Sequence, residues 1–266
     1  MNEVELKANE CLNQLQLWCS SNKLTINFDK TSYTVFVPKN NVKLDSLNIY
    51  VGSKVIKYTN SCKYLGVIID NKLNWIDHIN SVYNKIVKFV SIFFKIRDLL
   101  PVQCRSMIYY SFVHSNLLYG IEVYANTYYN NLSRLCILNN KLIRVLFDRS
   151  KDTRIGNLYT DLGTLPINLL HEYQLLCFVH KCIHHKSMLP DIFSNYFQSS
   201  NMLYKYNCRR KFDLFIKSVN SHYGEKCIMF KGSSLWNKLP ESVKSIKNVT
   251  SFKNTVKHSL QNSMNL

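Results

Sequence analysis

The chain has 266 residues, 46% of them hydrophobic and 13% aromatic, with 34 Lys and Arg against 17 Asp and Glu. That composition excludes disorder, and the net charge of +17 points to a polyanionic partner, nucleic acid being the usual one. No apolar run reaches the ~20 residues that span a bilayer, since Lys88, Lys95, Arg97 and Asp98 interrupt the nearest one at 86–100. The first ten residues have no apolar core of a secretory signal, and nine cysteines without paired short spacings read as reduced thiols. The expectation is an intracellular protein, nuclear or cytoplasmic, with no membrane role.

In chain order, Val4, Ala8, Cys11, Leu12, Leu15, Trp18 and Cys19 recur at spacings of three and four, which predicts a helix over 3–21 with one apolar face. Asn22 is its predicted stop, because asparagine tolerates the left-handed conformation. Five strand candidates follow: Leu24–Phe28, Tyr33–Val37, Leu47–Val51, Lys54–Tyr58 and Tyr64–Ile69, with Gly52-Ser53 as a tight turn. This part reads as α+β with an antiparallel sheet.

From Asn74 the period changes. Asn74 can cap a helix that carries Asp77 in its first turn, and apolar residues from Trp75 to Leu100 keep helical spacing until Pro101. Leu117–Gly120 marks an interruption. Leu132, Leu135, Cys136, Leu142, Val145 and Leu146 form a further amphipathic stripe, and a helix over Leu169–Ile183 follows Pro166. The last quarter is basic. Between Tyr204 and His258 it carries twelve Lys or Arg, including Arg209, Arg210 and Lys211, opposed only by Asp213, Glu225 and Glu241. Tyr206, Phe212, Phe215, Tyr223, Phe230, Trp236 and Phe252 interleave with them, either as stacking platforms for unpaired bases or as core anchors. A terminal helix is expected within Glu241–Ser259.

Three motifs then carry a family resemblance. Trp18-Cys19-Ser20-Ser21-Asn22-Lys23-Leu24-Thr25-Ile26-Asn27-Phe28-Asp29-Lys30-Thr31 resembles the W-x-x-x-N-x-L-x-(I/L)-N-x-x-K-T signature of non-LTR retrotransposon reverse transcriptases, jockey-like and LINE-like. Lys63-Tyr64-Leu65-Gly66-Val67, with Leu73-Asn74-Trp75 and His78, resembles their K-Y-L-G-V…L-x-W-x-x-H-I segment. Trp236-Asn237-Lys238-Leu239-Pro240, then Phe252-Lys253, resembles their W-N-x-L-P…F-K ending. The order and span of the three make the resemblance specific to the C-terminal portion of such an enzyme.

The resemblance implies a division into a palm remnant with its primer-grip hairpin at 1–72, a helical thumb-like domain at 73–200 and a basic aromatic-rich region at 201–266. Lys30 would be the motif D lysine, an ammonium near the incoming nucleotide's phosphates; its alternative is a turn lysine in solvent. Tyr64, Leu65 and Gly66 would form the primer grip, with the glycine allowing close backbone approach to the primer; their alternative is a bulged buried strand. Lys85 and Lys88 on the first thumb helix, with Arg209, Arg210 and Lys211, would contact RNA or DNA phosphates.

The intact family holds Mg²⁺ on a strand-end aspartate and an adjacent aspartate pair, which would lie upstream of Met1. No two acidic residues are adjacent in this sequence, and Asp70 at a strand end fits a capping role better. No metal site or cofactor is therefore expected in the chain. Cys177, His180 and His184, with His171, Cys182 and His185 nearby, have a spacing that could hold zinc, yet no C-x-x-C knuckle accompanies them and a packed helix accounts for them better. The sequence reads as a fragment of an RNA-directed DNA polymerase, inactive alone and at most binding nucleic acid. The alternatives are a helical interaction module and a polymerase piece acting in trans with a separate palm. A palm cut from its parent sheet should leave strand edges and one face of the first helix uncovered.

Overall fold

A computed structural model describes residues 2–36, 47–199 and 212–264. They fall into two compact units, Met1–His78 and Ile79–Leu266, and the division lies inside one helix.

The first unit opens with α1, Asn2–Ser21. Its end is a Schellman motif: Leu24 N–H donates to the Cys19 carbonyl at 2.8 Å and Lys23 N–H to that of Ser20 at 3.1 Å. The left-handed residue is Lys23, with φ +57°, and not Asn22 as the sequence predicts. Asn22 instead sits one position earlier, where its side-chain amide donates to the Trp18 carbonyl at 2.8 Å. Asn9 ties α1 to the chain beyond it, donating to Asn48 O and accepting from Tyr50 N, both at 3.0 Å. Ala8 and Leu12 face a small core of Ile49, Val51 and Ile56.

The predicted single antiparallel sheet is not what forms. Three separate two-stranded ladders occur among the described residues. β1 (Ser32–Tyr33) runs parallel to β4 (Lys57–Tyr58), β2 (Tyr50–Val51) pairs with β3 (Lys54–Val55), and β5 (Ser61–Tyr64) pairs with β6 (Val67–Asp70). Leu24–Phe28 is no strand; the chain leaves α1 and enters a 3-10 turn, Phe28–Lys30, capped by Asn27. Gly52 closes the β2–β3 turn at φ +59°, and a Cβ there would lie 3.1 Å from the Gln16 amide of α1. Part of Tyr33–Val37 falls outside the described residues.

The α1 stripe buries only in part. Val4, Leu15 and Trp18, predicted for one face, are exposed, as are Leu6 and Leu17. The uncovered helix face and short, open strands agree with the expectation for a small sheet without neighbours.

The second unit is helical. α2 is Ile76–Ile86, and the predicted continuous helix breaks at Val87–Lys88 before α3, Phe89–Ile96. α4 (Val102–Tyr109) passes through a π-helical turn at Tyr110–His114 into α5 (Ser115–Leu118), and the break at Tyr119–Gly120 stands where the sequence places it. α6 (Ile121–Tyr124), α7 (Tyr129–Leu146), α8 (Ile155–Leu162) and α9 (Ile167–His184) follow. α8 has no counterpart in the periodicity reading, because its two turns give too few apolar repeats to register. α7 buries Leu132, Leu135, Leu138, Leu142 and Leu146, and packs on α3.

Beyond residue 212 come α10 (His222–Glu225), α11 (Ile228–Asn237), α12 (Glu241–Lys244) and α13 (Val249–Ser263). The terminal helix expected within Glu241–Ser259 is α13, which Asn248 caps by accepting from Ser251 N–H at 2.9 Å and which runs on to Ser263. α9 packs on both α11 and α13, and Leu176, Val179, Trp236, Phe252 and Val256 share one core. The fold is therefore mainly helical with a few short strands, an α+β chain.

Candidate nucleic-acid interface

The hairpin β5–β6 is the best-defined feature among the predicted site residues. Tyr64 opposes Val67, so Leu65 and Gly66 alone make the turn, at φ +44° and +83°. Two consecutive positive φ values give the primed geometry that matches strand twist; glycine supplies it freely, leucine at a cost. What reads as one strand over Tyr64–Ile69 is thus a hairpin folded back at its only glycine. Tyr64 and Leu65 are 63% and 73% exposed, so the tip is not buried strand.

The base of the hairpin is locked. Asp70 is buried, and its carboxylate accepts from Lys72 and Asn74 N–H on Oδ1, at 3.1 and 3.2 Å, and from Trp75 N–H on Oδ2 at 2.8 Å. Those bonds hold Leu73 and Trp75 at φ +51° and +65°, a conformation neither residue favours alone. Asn74 accepts from Ile76 N–H at 3.0 Å and starts α2. His78, one turn into the helix, is buried and accepts from Ile68 N–H on Nδ1 at 3.2 Å. The L-N-W-x-x-H pattern is thus a latch between hairpin and helix.

Lys30 ends the 3-10 turn, exposed, its backbone N–H on the Asn27 side chain at 3.1 Å. Lys85 and Lys88 are exposed at the end of α2 and just after it, with Lys88 Nζ 5.6 Å from the Phe89 ring centre. They belong to the second unit, whereas Lys30, Tyr64, Leu65 and Gly66 belong to the first. Arg209, Arg210 and Lys211 lie outside the described residues.

The third motif is a second latch. Trp236, fully buried, donates from Nε1 to Phe212 O at 2.9 Å. The Asn237 amide brackets Leu214 as a strand neighbour would, accepting its N–H at 2.8 Å and donating to its carbonyl at 2.9 Å. Phe252 stacks on the His180 ring at 4.1 Å and lies 5.8 Å from Trp236. Of the interleaved aromatics, Trp236 and Phe252 are therefore core, while Phe212, Phe215 and Tyr223 stay exposed. Tyr206 is outside the described residues. One basic residue is also structural: Lys244 is buried and donates to Asp213 at 2.6 Å and Glu241 at 3.3 Å. A lysine in a basic tract reads as solvated, and only the fold shows the exception.

The Cys/His cluster on α9 serves packing. His180, His184 and His185 bond through Nε2 to the carbonyls of Ile246, Lys244 and Lys247, at 2.7, 3.0 and 2.9 Å. Burial lowers the His180 pKa, so its ring is held neutral as a carbonyl donor. His171 is buried against Lys231, whose Nζ donates to His171 Nδ1 at 3.3 Å, and burial followed by the lysine charge lowers its pKa to about 3. The polymerase metals find no fit at Asp70, whose oxygens already take three backbone N–H groups, and no His/Cys/Asp/Glu group among the described residues could hold a metal. No helix among them is long and apolar enough to cross a membrane.

No family model and no solved structure matches the chain. Among curated proteins, it is 25% identical over 179 residues to the RNA-directed DNA polymerase from mobile element jockey of Drosophila melanogaster, covering 64% of this chain and 19% of that protein. The corresponding jockey polymerase of Drosophila funebris is 26% identical over 51% of this chain and 15% of its own length. The probable RNA-directed DNA polymerase from transposon BS of Drosophila melanogaster is 24% identical over 61% of this chain and 18% of its own. The matched stretches span less than a fifth of the curated relatives. Within those bounds, the chain is a jockey-like relative of the non-LTR retrotransposon reverse transcriptases.

Proposed function

We propose that this chain is the part of a jockey-like reverse transcriptase that grips nucleic acid and does not itself polymerise. In this reading residues 1–72 are the end of the palm with the primer grip, 73–200 the thumb and 201–266 a basic region, and RNA or DNA is the partner. The observation that carries it is the hairpin: a Tyr64-Leu65-Gly66 tip with Tyr64 and Leu65 exposed, on a base fixed by Asp70 and His78, in the same segment that resembles the family's primer grip. A rigid turn presenting backbone and one tyrosine fits contact with a sugar-phosphate chain, and +17 of net charge supplies the long-range attraction. The missing acidic pair removes the metal chemistry, so Lys30 acts at most on phosphate charge.

Filter binding of an RNA/DNA duplex with a recessed primer end, at two salt concentrations, tests this reading. Retention that falls steeply with salt is the expected result, and no retention at low salt would sink it. Primer extension with Mg²⁺ by the isolated chain should give no product. The uncovered apolar side chains of α1, Val4, Leu6, Leu17 and Trp18, favour one second reading: a piece that docks a separate palm chain and works in trans. Extension only on mixing with such a palm would distinguish it.

A further inference from the structure

The helix α1 carries two apolar faces, and the first unit covers one of them. Ala8 and Leu12 pack on Ile49, Val51 and Ile56, while Asn9 bonds to Asn48 and Tyr50. Roughly a quarter turn away runs a separate stripe of Val4, Cys11, Leu15 and Trp18. Val4, Cys11 and Trp18 repeat every seven residues, and Leu15 sits four beyond Cys11, the spacing of a helix-packing seam. Val4, Leu15 and Trp18 are 63%, 47% and 58% exposed, and Cys11 is an exposed free thiol. Leu6 and Leu17 are exposed too, but helical spacing puts them off this stripe.

Such a stripe is its own complement when a second copy runs antiparallel. With a two-fold axis at Cys11, Val4 of each copy meets Trp18 of the other, and Cys11 meets Cys11. The small thiol at the axis lets the helices approach closely, and each tryptophan covers the valine opposite. Charge selects the orientation. Residues 3–10 carry Glu3, Glu5 and Glu10 against Lys7, which pairs with Glu3 at 2.7 Å, whereas residues 11–23 carry Lys23 alone. An antiparallel pair sets the acidic end of each helix beside the basic end of the other and opposes their dipoles. A parallel pair would stack acidic end on acidic end. Because α1 is net negative, the contact itself does not add to the repulsion between two chains of +17.

We propose that the stripe of Val4, Cys11, Leu15 and Trp18 is a homodimer seam, α1 packing antiparallel on α1 of a second copy. Sedimentation equilibrium of the full chain, at concentrations up to about 0.1 mM, should show the mass doubling as concentration rises. Salt should favour the dimer by screening the repulsion between +17 chains, whereas it weakens phosphate binding, so the seam and the nucleic-acid reading fail separately. The double variant Leu15→Ser/Trp18→Ser should weaken association at least about tenfold. Leu6→Ser/Leu17→Ser, equally apolar and exposed but off the stripe, should leave it unchanged. Circular dichroism checks that both variants keep their helices. A short bismaleimide reports the orientation, with peptide mapping to set aside links through the native cysteines. Val4→Cys mixed with Trp18→Cys should link the two introduced thiols. Val4→Cys alone should give no link between copies at that position, because the two sites lie about 20 Å apart in the antiparallel pair. A chain that stays monomeric at every salt concentration overturns the seam. Equal weakening by Leu6→Ser/Leu17→Ser would show general stickiness and overturn it too, and a link between two Val4→Cys sites would overturn the antiparallel packing.

Discussion

The Asp70 carboxylate accepts the backbone N–H of Trp75 at 2.8 Å while Trp75 sits at φ +65°. A tryptophan does not choose that conformation, so the bond and its two companions to Lys72 and Asn74 hold the hairpin-to-helix corner against local preference. Asp70→Ala should cost about 2–3 kcal/mol, because three N–H groups near a buried site lose their acceptor. Asp70→Asn, which keeps one oxygen, should cost less. Urea unfolding of the first unit's signal measures both, and equal stability of Asp70→Ala would refute the latch.

The hairpin turn should respond to conformational relief. Leu65 at φ +44° is 73% exposed, so Leu65→Asn or Leu65→Gly should stabilise by about 0.5–1 kcal/mol. Gly66→Ala, at φ +83°, should destabilise by about 1 kcal/mol. Thermal melts of the three variants should rank them in that order.

Acid should weaken the second unit. His171 has its pKa lowered to about 3 and His114 to about 4, in both cases by burial first and then by a lysine, Lys231 and Lys257 respectively. A group depressed in the fold binds its proton more readily when unfolded, so stability is full above the unfolded pKa of ~6.5 and falls as pH drops towards 4. From pH 7 to 5 the loss should be on the order of 2 kcal/mol per histidine at most. Denaturation midpoints across that range should drop, and His114→Gln, at the partly exposed site, should flatten the slope.

The C-terminal latch sets a last test. Lys244→Ala leaves Asp213 and Glu241 without their shared ammonium and should cost about 3–5 kcal/mol. Asn237→Ala removes both bonds to Leu214 and should cost about 2–3 kcal/mol, whereas Lys238→Ala, exposed beside it, should be near neutral. Similar small losses for all three would show that the motif is not structural.

Much was legible in advance. The helix at α1, the change of period at Asn74, the break at Gly120 and the start of α9 after Pro166 are local, written in spacing and punctuation, and the fold keeps them. The motifs also pointed to the kind of polymerase that the chain is similar to. Their roles were another matter. Nothing local tells Lys244 from its solvated neighbours, or Trp236 and Phe252 from Phe215, because burial is decided by which distant segment packs against them.

The composition and motifs by themselves determined a basic, mainly helical, reverse-transcriptase-related chain without an adjacent acidic pair, since charge and periodicity are properties of the chain alone. Only the tertiary structure decided that Leu65-Gly66 folds the strand back into an exposed hairpin, that Asp70 holds a corner through three N–H groups, and that Lys244 is buried between Asp213 and Glu241. Those outcomes depend on hydrogen bonds and contacts between groups that the sequence keeps apart or leaves free to pair elsewhere.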